Sequence, residues 1–108
     1  MLIDSVNFWV DSVDAVLTDC YADTGKTGYL IKQSTRMFGC SYFNNYTYEM
    51  DDVTVIEHIG GNLLVSGGMF RKTSPKSTLY KGDDKNLIWR DNILEGDWKS
   101  NEVLQGEA

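Results

Sequence analysis

The sequence predicts a single α+β domain over 1–108: an N-terminal amphipathic helix packed on a curved antiparallel sheet of about five to seven short strands. Three observations predict it. Apolar residues recur at helical spacing from about residue 4 to 22, and the spacing falls to about two after Gly25. Short apolar runs then alternate with glycine, asparagine and aspartate turns. A length of 108 residues suits one core rather than two.

The helix comes first. Val6, Trp9, Val10, Val13, Val16, Leu17 and Cys20 follow at three- and four-residue steps, a face about 120° wide at 100° per residue. Asp4, Asp11 and Asp19 fall opposite. Asp4 or Ser5 supplies the capping oxygen, and Asp23-Thr24-Gly25 reads as the stop. Phe8 breaks the division by projecting among the aspartates. With Asp11 and Asp19 it marks the outer helix face as a candidate partner-binding surface.

The strands follow in order. Thr27–Ser34 is the first, through Tyr29, Leu30 and Ile31; Met37–Phe43 and Tyr46–Met50 are aromatic-rich, with Asn44-Asn45 as a turn. Val53–Ile59 is β-branched. Gly60-Gly61-Asn62 then predicts a hairpin into Leu63–Ser66, with Val53, Val55, Ile59, Leu63 and Val65 sharing a face. Gly67-Gly68 marks a bulge or break before Met69 and Phe70. Thr73–Lys76 is a loop. Thr78–Tyr80 and Asn86–Arg90 are strands, and Asp91-Asn92 turns into Ile93–Leu94. The stretch holding Trp98, Val103 and Leu104 reads equally as short helix or strand. Short loops favour a meander, and no internal repeat is evident. This order is similar to cystatin-like and nuclear-transport-factor-like folds in architecture alone, with no motif to support a family.

Composition bounds the function. A net charge of −6 disfavours a nucleic-acid binder and an anionic-membrane binder. Residues 1–23 carry five Asp and no Lys or Arg, whereas 71–90 carry six bases against Asp83 and Asp84. No apolar run spans a bilayer, and the opening residues have no signal-peptide character, so the expected compartment is the cytoplasm. Cys20 and Cys40 then read as two reduced core thiols.

No motif names a reaction. Thr24-Gly25-Lys26-Thr27 fails as a phosphate loop, because Cys20 stands where glycine is needed and a strand follows instead of a helix. His58 is the only histidine, so any catalytic triad or dyad must use it, with Glu57 or another acid. One histidine and two distant cysteines give no zinc spacing. Glu49, Asp51, Asp52 and Glu57 read as a polar turn rather than a cation site. The expectation is therefore no metal, no cofactor and no catalytic residues. The leading reading is a small acidic protein-binding or inhibitor-type accessory protein of the kind found in phages and mobile elements, binding another protein or itself as a homodimer. The alternative is a small-ligand domain with an aromatic pocket between helix and sheet, lined by Trp9, Tyr29, Phe38, Tyr42 and Trp89. An enzyme built on His58 is the third reading.

Overall fold

The computed structural model describes residues 5–23, 25–43, 53–72, 77–96 and 98. These residues form twelve strands of three to five residues and one 3-10 turn, Asp84–Asn86. The strands are β1 Val6–Val10, β2 Ala15–Thr18, β3 Tyr21–Asp23, β4 Thr27–Ile31, β5 Thr35–Phe38 and β6 Ser41–Phe43. They continue as β7 Thr54–His58, β8 Leu63–Ser66, β9 Met69–Arg71, β10 Thr78–Lys81, β11 Leu87–Arg90 and β12 Ile93–Glu95.

No strand pairs with its neighbour in sequence. Each pairs in parallel with the strand three places further on, giving three sheets: β1-β4-β7-β10, β2-β5-β8-β11 and β3-β6-β9-β12. Successive strands belong to successive sheets. Three strands close one rung, and four rungs stack into a three-sided parallel β-solenoid. Each rung buries its apolar side chains only by stacking on another, so the rungs stabilise one another as neighbours.

This overturns the α+β expectation, both the helix and the antiparallel sheet. The segment read as a helix is the first rung. Its stripe divides: Val10 is buried, whereas Trp9, Val13 and Val16 are 63%, 70% and 48% exposed. The competing signal was composition. Four valines favour strands over helix, and Asp14 and Asp19 adopt positive φ at the corners that follow β1 and β2. Gly60-Gly61-Asn62 is likewise a corner and not a hairpin. Gly61 has φ +73°, and its missing side chain admits the backbone of Ser34 in the rung below. Glycine permits the sharp turn, but only the partner strands decide whether the chain reverses or moves to the next sheet. Leu63 and Val65 still face the core with Val53 and Val55, but Ile59 lies outside it, 59% exposed. The predicted elements at Asn44–Met50 and Thr73–Lys76, and the end of the chain after Trp98, lie outside the described residues.

A repeat exists, but its period is irregular. Ala15, Thr35, Leu63 and Leu87 stand side by side in register, at steps of 20, 28 and 24 residues. The corner between the second and third sheets is constant. It is always two residues, Asp19-Cys20, Gly39-Cys40, Gly67-Gly68 and Asp91-Asn92, and the first of each pair has φ between +55° and +69°. Backbone bonds run through this corner from rung to rung: Asp19 N donates to Phe38 O (2.8 Å), Gly39 N to Ser66 O (2.9 Å) and Gly67 N to Arg90 O (3.2 Å).

Inward side chains stack in columns. Phe8, Tyr29, Ile56 and Tyr80 form one, with the Phe8 and Tyr29 rings 5.1 Å apart and nearly parallel. Leu17, Met37, Val65 and Trp89 form another, and Ala22, Tyr42, Phe70 and Leu94 a third. Burying a large apolar side chain contributes roughly 1.5–3 kcal/mol, so these columns carry much of the stability.

Candidate binding surfaces

The residues proposed to line an aromatic pocket separate into two groups. Tyr29, Tyr42 and Trp89 are core residues, at 0%, 0% and 4% exposure. Tyr29 donates to the carbonyl oxygens of Ser41 (2.7 Å) and Cys20 (3.0 Å), and Tyr42 to Gly25 O (2.9 Å). The Trp89 ring packs 5.5 Å from Phe70. Trp9 and Phe38 lie on the outside. Lys32 Nζ sits 5.3 Å from the centre of the Trp9 ring. The helix that was to close the pocket is absent.

The residues of the supposed helix face also separate. Phe8 points inward onto Tyr29. Asp11 is exposed in the corner after β1 and accepts from Gln33 Nε2 (3.3 Å). Asp19 is exposed at the left-handed corner between β2 and β3.

His58 is 6% exposed at the end of β7. Its Nε2 lies 2.7 Å from Gly61 O, which can only accept, so Nε2 carries a proton. Its Nδ1 lies 2.7 Å from the Tyr80 hydroxyl, which in turn lies 3.1 Å from Asp83 O. Burial, with the Asp83 and Asp84 carboxylates adding to it, pushes Tyr80 up to about 12, so this phenol stays a hydrogen-bond donor at neutral pH. Both imidazole nitrogens therefore fasten the corner after β7 to rung 4. No group of three or more His, Cys, Asp or Glu side chains among the described residues is placed to hold a metal ion.

Two open hollows run across the rungs. One, of about 430 Å³, follows the corner between the first and second sheets. Asp14, Ser34, Asn62 and Asn86 line one side of it, and Arg36, Leu64 and Ile88 the other. The second, of about 600 Å³, lies on the first sheet over Thr27, Thr54 and Thr78, with Leu30, Glu57 and Lys81 beside them.

The exposed large apolar residues are unevenly placed. Trp9, Val13, Val16 and Tyr21 belong to rung 1, and Ile88 and Ile93 to rung 4. Among the described residues, only Ile59 belongs to an inner rung. Core side chains are also less covered at the ends. Phe8, Ala15, Leu17 and Cys20 in rung 1, and Tyr80 and Leu94 in rung 4, are only partly buried. Sequence reasoning missed Tyr21, Ile88 and Ile93. Their alternation with buried neighbours was legible, but their shared position at the ends of a stack was not.

Fold and surface together define a class: a four-rung parallel β-solenoid with a filled interior that presents its outer columns and its ends. No known protein family, no curated protein and no solved structure matches the chain. No helix among the described residues is long and apolar enough to cross a membrane.

Proposed function

We propose that this chain is a non-enzymatic protein-binding module of accessory or inhibitor type, which engages its partner through the end rungs. The observation that carries this reading is the concentration of exposed Trp9, Val13, Val16, Tyr21, Ile88 and Ile93 at the two ends of the stack. Exposed apolar groups gathered in one region mark interaction sites, whereas scattered ones do not, and Trp and Tyr are the side chains that anchor interfaces. The engagement of both His58 nitrogens in structural bonds speaks against a catalytic base there. Residues 1–23 carry five Asp and no Lys or Arg, an acidic balance that favours a protein over a nucleic acid. Cys20 and Cys40 occupy equivalent corner positions as free thiols, which supports a reducing, cytoplasmic setting.

The test is site-specific photo-crosslinking in the native host, with benzoyl-phenylalanine at positions 9, 16 or 88 and at position 54 on the first sheet. Protein adducts at the three end positions and not at 54 are expected. Adducts at 54 alone, or at none of the four, would overturn the reading.

The corner groove supports a second reading as a ligand site, because it stacks Asp14, Ser34, Asn62 and Asn86 opposite Arg36. A small ligand held there raises the melting temperature with the logarithm of its concentration above Kd, and Arg36→Ala removes that rise.

A further inference from the structure

We infer that the partner of the end rungs is a second copy of this chain, stacked head to tail with its rung 1 on rung 4 of the first. The inference rests on the reading of the ends as the binding surface. Rungs 1 and 4 are terminal in all three sheets, and among the described residues nothing pairs with the outer edges of β1, β2 and β3 or of β10, β11 and β12. Such edges present rows of backbone N–H and C=O groups, which template the addition of another strand. Trp98, which follows β12, is anchored on rung 3 rather than across that outer edge: its Nε1 donates to Phe70 O (3.2 Å) and Lys72 Nζ lies 5.4 Å from its ring centre.

The registers inside the chain fix what an incoming rung 1 would meet. Val16 and Ile88 occupy the two ends of one outward column, through Arg36 and Leu64. Tyr21 and Ile93 occupy the two ends of another, through Ser41 and Met69. Trp9 and Lys81 end a third, through Leu30 and Glu57. Continuing the stack by one rung therefore sets Ile88 beside Val16 of the next copy, Ile93 beside Tyr21, and the Lys81 ammonium beside the Trp9 ring. Inside, Tyr80 would continue onto Phe8 and Trp89 onto Leu17. Four exposed aliphatic or aromatic side chains pair off, and the partly buried core residues of both ends are covered. Like charges oppose the contact: Asp91 would fall beside Asp19, Glu95 beside Asp23, and the corner with Asp83 and Asp84 would meet the corner with Asp11 and Asp14. A contact of this kind joins two different surfaces, so it repeats from copy to copy rather than closing as a twofold dimer.

The register gives the test. Neighbouring parallel strands lie about 4.8 Å apart with side chains aligned, a spacing a disulfide can span. In a Cys20→Ser, Cys40→Ala background, chains carrying Val16→Cys are mixed with chains carrying Ile88→Cys and oxidised. Linked 16–88 pairs are expected, faster than 88–88 or 16–16 pairs. Light scattering of the unmodified chain should show mass rising with concentration. Ile88→Asp, an exposed change, should abolish the rise. Asp91→Asn, which tolerates positive φ and removes one like-charge pair, should increase the associated fraction. Symmetric 88–88 linkage at an equal rate, or a monomer at all concentrations with no 16–88 product, overturns head-to-tail stacking. Adducts to a different protein at positions 9, 16 or 88, with a monomeric chain, would sink this inference and leave the binding-module reading standing. The absence of any adduct would remove both.

Discussion

Asn92 gives the sharpest test of the stacked corner. Its side chain lies at the junction of β11 and β12 and reaches into the rung before it. Gly68 N donates to Asn92 Oδ1 at 2.7 Å, and Asn92 Nδ2 donates to Val65 O at 3.0 Å. One amide thus serves two backbone groups, one in β8 and one in the corner that follows it. Asn92→Ala leaves the N–H of buried Gly68 without its acceptor. An unpaired buried donor costs about 1–3 kcal/mol, and the lost bond to Val65 O about 1 kcal/mol more. The expected loss is roughly 2–4 kcal/mol, or roughly 8–16 °C in Tm for a domain of this size. Urea denaturation should show a lower midpoint with an unchanged slope, because the surface exposed on unfolding stays the same. Asn92→Asp separates the two bonds. It keeps an acceptor for Gly68 but turns an oxygen toward Val65 O, so its deficit should shrink as pH falls and the carboxyl regains a donor. Residues 65, 68 and 92 meet only because rungs 3 and 4 stack at this corner. An Asn92→Ala variant within about 0.5 kcal/mol of the parent, the range of an ordinary surface change, would refute that stacking.

Other expectations follow from the core. Trp89→Ala should cost about 3–5 kcal/mol as a large core truncation, whereas Trp9→Ala should stay near the roughly 0.5 kcal/mol of a surface site; equal losses in denaturant titrations would contradict the placement of the two rings. Burial raises Tyr29, helped by the charges of Cys40 and Cys20, and raises Tyr42, helped by Asp23, each far above the ordinary value of 10.0. Above about pH 10 the unfolded chain releases these protons while the folded chain holds them, so stability falls as pH rises, by up to ~1.4 kcal/mol per unit for each group. Denaturation midpoints flat between pH 10 and 11 would refute this. Burial also pushes the Cys40 thiol up to about 11, whereas Cys20 is only half-buried. Alkylation at pH 8, followed by mass spectrometry, should therefore modify Cys20 first and Cys40 only on unfolding.

Much of the local structure was legible in the sequence. Leu63–Ser66 is a strand with the predicted bounds, and Gly67-Gly68, Asp91-Asn92 and Gly60-Gly61-Asn62 all turn the chain where the turn residues stand. Two things were not legible. The first is the difference between a corner and a hairpin, which resides in the strand each segment meets 20 to 28 residues away and not in the turn itself. The second is the first rung. Strands separated by four- and two-residue corners place Val6, Val10, Val13, Leu17 and Cys20 at intervals that imitate a helix. The valines and the aspartate corners argued otherwise, but periodicity outweighed them. Tyr29, Tyr42 and Trp89, read from the sequence as the lining of a pocket, are core side chains. Their hydroxyls and rings serve the stack, and the exposed apolar side chains lie on the outward columns between them.

The two-residue corner between the second and third sheets has a consequence for how such a chain tolerates change in length. Its span is the same in all four rungs, whereas the links from β3 to β4, β6 to β7 and β9 to β10 hold 3, 10 and 6 residues. Because side chains alternate between faces, one residue added within the constant corner would transfer Tyr42 or Phe70 from inside to outside. Residues added between β6 and β7 enter a link that already varies threefold and leave the alignment of the three sheets untouched. That edge of the solenoid is where new segments can be grafted onto an unaltered frame.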